Sequence, residues 1–121
     1  MNEEEKRALM MDFERNRQLL GNIMGQKQQM NIQVEMIKAS LEELKNTKDK
    51  TVLKVVGNIM VTKTVVEMKK ELEEQKESYE LRIKTLAKQE ETTIKKLNSI
   101  KAQVEGTKPV SEEKKKKSKK E

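Results

Sequence analysis

The sequence predicts a mainly α protein: an antiparallel two-helix coiled coil with a single β-hairpin at the helix junction. Three observations predict it. Two long stretches repeat apolar residues at alternating spacings of four and three, the period of a coiled-coil seam. Between them lies TVLKVVGNIMVTKT, Thr51–Thr64, which alone reads as β. Charged residues make up 40% of the 121 positions and aromatics only 2%. Such a composition cannot fill a compact core, but it suits extended helices that share a narrow apolar seam.

The first helix is expected over 3–46. Asn2 followed by Glu5 resembles a capping box, and Glu3, Glu4 and Glu5 suit the positive end of a helix dipole. Its seam runs Leu9, Phe13, Asn16, Leu20, Ile23, Lys27, Met30, Val34, Ile37, Leu41, Leu44, and nine of these eleven are apolar. At 1.5 Å per residue the seam is roughly 54 Å long. Asn16 and Lys27 interrupt it, and polar seam residues cost stability while helping to set register. The polar run Lys45–Lys50, KNTKDK, ends the pattern and reads as a loop.

The hairpin is expected over 51–64. A Gly57-Asn58 turn sets Val56 against Ile59, Val55 against Met60, Lys54 against Val61 and Leu53 against Thr62. One face then holds Val52, Val56, Ile59 and Val61, with Lys54 and Lys63 toward its base. The other holds Leu53, Val55 and Met60 among threonines. A lone two-stranded hairpin is marginal in water, two helices cannot cover both of its faces, and its two edges invite further strands. The expected solution is assembly, with hairpins from several chains closing into a sheet or barrel. Val52, Leu53, Val55, Val56, Ile59, Met60 and Val61 would be buried there, and Gly57 would hold the turn. The alternative is a hairpin folded back over the helix ends of its own chain.

The second helix is expected over 65–105. Thr64 and Glu67 fit a capping box, and Gly106 with Pro109 marks the end. Its seam runs Val65, Lys69, Leu72, Lys76, Tyr79, Ile83, Leu86, Glu90, Thr93, Leu97, Ile100, Val104, with eight of the twelve apolar. An antiparallel register that sets Met30 against Ile83 also sets Leu9 against Val104, Phe13 against Ile100 and Leu41 against Leu72. In that register every polar seam residue faces an apolar or threonine side chain; a register shifted by one heptad is the alternative. One coiled-coil and hairpin domain, 1–106, is thus expected, followed by a tail, 107–121, in which SEEKKKKSKKE, Ser111–Glu121, has six Lys and three Glu. The tail is expected to be disordered and solubilising, with a weak contact to nucleic acid or a membrane surface as the functional alternative.

Net charge is +6, half of it in Ser111–Glu121, and the nearly balanced body argues against a nucleic-acid-binding face. The chain has neither Cys nor His. Cys- or His-dependent nucleophiles and the usual zinc sites are therefore excluded. Gly57-Asn58 lacks the Gly-Lys-Ser/Thr ending of a phosphate loop. No enzyme activity, metal or cofactor is expected. No apolar run approaches the ~20 residues of a membrane span, and MNEEEKR is unlike a signal peptide. The expected setting is cytoplasmic.

What remains is surface. At the end of the stalk furthest from the hairpin, Leu9, Met10, Met11, Phe13, Leu19, Leu20 and Met24 meet Ile100 and Val104 of the second helix. Met10, Met11, Leu19 and Met24 fall outside the seam, and flexible Met side chains suit promiscuous apolar binding. They serve equally as ordinary contacts flanking the seam.

The layout resembles the β-type subunits of the prefoldin family, in the short archaeal-like form. The resemblance is carried by LKVVGNIMV, Leu53–Val61, with MIKASLEEL before it and VVEMKKELEEQKE after it, and covers roughly residues 10 to 105. Leu53 stands where many members have Tyr or Phe, and keeps the site apolar. The resemblance implies a hexamer of two α-type and four β-type subunits whose hairpins form a double β-barrel. It implies an ATP-independent holdase that captures non-native proteins at the coiled-coil tips and passes them to a group II chaperonin. Client contact would then fall to Leu9, Met10, Met11, Phe13, Leu19, Leu20, Ile100 and Val104. A coiled-coil scaffold without client binding is the alternative; a nucleic-acid-associated coiled coil that uses the Lys tail is a third reading.

The register has a direct test. With Met30→Cys and Ile83→Cys introduced together, mild oxidation should close an intramolecular disulfide, read as a mobility shift on non-reducing gels. Absence of the bridge would count against the pairing.

Overall fold

The computed structural model describes residues 1–106, so the tail expected over 107–121, Pro109 included, lies outside the described residues. The element order is α1 (Glu3–Asn46), β1 (Thr51–Val56), β2 (Ile59–Thr64) and α2 (Val65–Glu105). Each boundary has a local cause. The Glu5 N–H donates to Asn2 Oδ1 at 2.8 Å, which makes Asn2 the N-cap of α1. The Glu67 N–H donates to Thr64 Oγ1 at 3.1 Å, and the Thr64 hydroxyl donates to the Glu67 carboxylate at 2.9 Å. The cap residues are those expected, but Glu67 meets the hydroxyl rather than reaching back to the cap's backbone N–H. At the far end of α2, Gly106 takes φ +72°, the left-handed conformation of a C′ residue.

The hairpin has the expected register throughout, from Thr51↔Thr64 to Val56↔Ile59. Gly57 has φ +59°, and no non-glycine residue among those described has positive φ. Positive φ at the first central residue alone is the type II′ combination, which matches the twist of the flanking strands. No linker separates β2 from α2: the Val65 N–H donates to the Lys50 carbonyl at 2.9 Å, carrying the strand pairing up to the first residue of the helix.

The chain divides into two compact units. In Gln28–Lys84, which contains the hairpin, Val34, Ile37 and Leu44 are buried, while Met30, Leu41, Leu72 and Ile83 are half-buried. In the other unit, Met1–Lys27 with the residues from Thr85 onward, Ile23, Leu86, Leu97 and Ile100 form the apolar core; Leu86, at 1% exposure, is the most buried. Every position of both seam series is buried or half-buried. Ala102, outside the series, is buried as well.

The polar seam residues find polar partners that the register does not name. Lys27 Nζ lies 3.4 Å from both carboxylate oxygens of Glu90. That is one turn further along α2 than the position opposite it in the Met30–Ile83 register. A half-buried ammonium is costly unless paired, and the flexible lysine stem has the reach to find the carboxylate. Asn16 is buried, but its amide donates to the Asp12 carbonyl at 2.7 Å and the Asp12 carboxylate at 3.1 Å, within its own helix. Thr93 likewise donates to the Gln89 carbonyl at 2.7 Å. Among the described residues, no buried side-chain polar atom lacks a partner.

A half-buried ion pair in a seam is weaker than apolar packing of the same volume. Replacing Lys27→Leu and Glu90→Leu together should therefore raise stability by about 1 kcal/mol or more in denaturant unfolding. The single change Glu90→Leu should lower it.

Candidate functional site

Two surfaces, one in each unit, carry the exposed apolar residues that matter. In the hairpin unit, alternation along the strands places Val52, Lys54, Val61 and Lys63 on one half-buried face. On the other face Leu53, Val55 and Met60 are 65%, 65% and 66% exposed. Val56 and Ile59 flank the turn and are exposed too, although they share the face of Val52. Coverage by the chain's own helices is thus confined to the base of one face. Large apolar side chains left bare together mark an interaction surface.

The covered base holds a charge arrangement that was not anticipated. Lys54 of β1 hydrogen-bonds Glu71 Oε1 of α2, and Lys63 Nζ of β2 lies 3.5 Å from Oε2 of the same carboxylate. All three side chains are about one quarter to one third exposed. The hydrogen bond from Lys54 draws the Glu71 carboxyl below its ordinary range, against the partial burial that pushes it up, and the charges of Lys54 and Lys63 add to the lowering. Two part-buried lysines on one hairpin face favour a neighbouring anion. Which of the many carboxylates supplies it depends on how α2 leaves β2.

In the other unit, the ends of α1 and α2 form a groove of about 290 Å³ lined by Met10, Phe13, Ile100, Lys101, Val104 and Glu105. Ile100 is buried and Phe13 and Val104 are half-buried, because all three lie in the seam. Met10 sits beside the seam and stays 54% exposed. Of the eight residues singled out here, Met10, Phe13, Ile100 and Val104 are brought together in this groove. Leu9 and Leu20 are half-buried in the seam, and Met11 is exposed. Leu19 is exposed beside a second, more polar groove that it shares with Ile23, Thr85, Lys88, Gln89, Thr92 and Thr93. Lys101 and Glu105, which rim the first groove, were missed; each directly follows a seam residue, which is the signal that places them there. Nearby on α1, Arg17 grips Glu14 through two hydrogen bonds of 3.1 and 2.8 Å, and this hydrogen bonding holds the Glu14 carboxyl below its ordinary range. Both side chains are largely solvated.

Two long helices joined by one antiparallel hairpin, with bare apolar strands and an apolar groove at the helix ends, form the architecture of a prefoldin-type chaperone subunit. The comparisons agree. Residues 7–109 match the prefoldin subunit family. Prefoldin subunit beta of Archaeoglobus fulgidus is 40% identical over 84 residues, 69% of this chain and 72% of that protein. Its counterpart in Saccharolobus islandicus is 32% identical over 101 residues, 83% of this chain and 80% of that one. The crystal structure of the prefoldin beta subunit from Thermococcus strain KS-1 superposes with a TM-score of 0.77 at 29% identity, over 84% of this chain and 90% of that one. The chain belongs to the prefoldin subunit family, and the relatives it resembles are beta subunits. It is accordingly a non-enzymatic chaperone component, and its family implies a hetero-oligomeric prefoldin complex. Among the described residues, no helix is long and apolar enough to cross a membrane.

Because the folded-state pKa of Glu71 is depressed, its pairing adds stability above the ordinary carboxylate pKa of about 4.3, and loses it as pH falls through the lower folded value. In acid titration the hairpin amides should lose hydrogen-exchange protection over that window. Glu71→Gln should remove this pH-dependent component and lower hairpin protection at neutral pH.

Proposed function

We propose that this chain is the β-type subunit of a cytoplasmic, ATP-independent holdase. In this reading it captures non-native proteins at the ends of its coiled coil and passes them to a group II chaperonin. The observation that carries the reading is the groove of Met10, Phe13, Ile100 and Val104, apolar at its base and flanked by exposed methionine. A non-native protein presents apolar side chains without fixed geometry. A shallow groove with flexible thioether side chains meets such a ligand without demanding a sequence, and gains its affinity from apolar area removed from water.

The hairpin serves assembly in the same reading. Leu53, Val55, Val56, Ile59 and Met60 are bare in the single chain, and both strands have unpaired edges. Hairpins of an α-type subunit and further copies of this chain would cover them, closing into the barrels of an α2β4 hexamer, with Val52 and Val61 completing the buried set. A scaffold without client binding is the competing reading, favoured by the same bare strands, since they suffice to drive association.

One experiment separates the two. Met10→Ser, Met11→Ser and Leu19→Ser remove exposed side chains that the helix seam does not use. The variant should assemble with an α-type partner as the unaltered chain does. Its suppression of aggregation of a denatured client should weaken about tenfold or more, since each lost apolar contact is worth on the order of 1 kcal/mol. Undiminished suppression would rule out capture at this surface, and no suppression by the unaltered complex would favour the scaffold.

A further inference from the structure

We infer that Glu71 is the positioning residue of the assembly surface: by holding Lys54 and Lys63 together, it fixes the hairpin on α2 and keeps two free ammonium groups out of the strand interface. The inference rests on the assembly role proposed for the hairpin and goes beyond it by naming the residue that makes the surface competent.

The geometry carries it. Lys54 and Lys63 lie on different strands but on the same face, and each occupies the site across from a valine: Lys54 from Val61, Lys63 from Val52. Glu71 meets Lys54 through Oε1 and Lys63 through Oε2. One carboxylate therefore ties both strands to the second turn of α2. The hairpin is joined to α2 directly at Val65, where the Val65 N–H also bonds the Lys50 carbonyl, so these fixings all lie at its one end. A second tether, further along the strands, decides which face is turned outward. The outward face is then Leu53, Val55 and Met60, without any charged side chain among the residues that point there. The two lysines also lie close to the valines that a neighbouring hairpin would cover. An ammonium brought to such an interface without a partner opposes association, whereas one already held by its own chain's carboxylate does not. Glu71 thus acts on assembly twice, through orientation and through neutralisation, by contacts within its own chain.

The test uses the full chain co-expressed with an α-type partner, with native mass spectrometry over a dilution series as the readout and circular dichroism as the check on helix content. Glu71→Gln should keep its helical signal, and its complexes should half-dissociate at a concentration about fivefold to tenfold higher per hairpin than the unaltered complex, as expected for two partly exposed charge pairs. Glu71→Lys should be worse. Exchanging the charges, Lys54→Glu and Lys63→Glu with Glu71→Lys, should recover assembly relative to Glu71→Lys alone, which simple loss of a structural side chain would not produce. Half-dissociation of Glu71→Gln equal to that of the unaltered complex overturns this inference alone, as does a charge exchange that recovers nothing. Loss of helical signal in Glu71→Gln makes it a folding residue and overturns the positioning role. An unaltered chain that never assembles overturns the assembly reading, and this inference with it.

Discussion

Each helix has one stripe of apolar side chains, and burial of one stripe against the other is the interaction on which the rest of the chain depends. Isolated helices in water are marginal, because nucleation is costly and propensity adds little per residue. Here 40% of the residues are charged and there are one Phe and one Tyr, so no other apolar area could offset the entropy of ordering the chain. The stripe is also interrupted. Asn16 and Thr93 turn their side chains back onto their own helices, and Lys27 and Glu90 neutralise each other. These arrangements make the polar positions tolerable without making them strong. Leu86 and Ile23, nearly inaccessible to solvent, must supply much of the packing around them.

A seam this narrow leaves apolar residues over. Those next to the turn, Val56 and Ile59, and those on the outward strand face have no helix to cover them. The same holds for Met10 and Met11, which fall beside the seam on α1. In a monomeric globular protein such exposure would favour aggregation; in the function proposed above it serves assembly and client capture. The two surfaces differ in kind. The strands offer backbone hydrogen bonds in a fixed register and so suit a defined partner. The helix ends offer methionine and a shallow groove, with little to specify a ligand.

Charge has a structural part to play as well. Among the described residues, ion pairs such as Arg17–Glu14 and Lys38–Glu35 join neighbours on one exposed helix face and contribute little beyond solubility. Two pairings differ because they join separate elements: Lys27–Glu90 between α1 and α2, and Glu71 with both strands of the hairpin. Both are half-buried, and in both the lysine lies on a surface that is otherwise apolar.

The tetrapeptide Gly-Asn-Ile-Met occurs twice, helical at Gly21–Met24 and as turn and strand at Gly57–Met60. Its context was readable: a 4-3 series flanks the first copy and β-branched runs flank the second. The element order, the caps at Asn2 and Thr64, the strand register and every seam position could be derived in the same way, because each depends on neighbours a few residues away. The tertiary structure alone decided which distant groups meet. No local pattern paired Lys27 with Glu90, turned Asn16 back to Asp12, or chose Glu71 among many carboxylates to hold Lys54 and Lys63. Nor did one reveal that Met10 lines a groove with Phe13, Ile100 and Val104 while Met11 does not. Those outcomes follow from how two helices dock and from where α2 leaves β2, and side chains with long flexible stems take whichever partner that docking brings within reach.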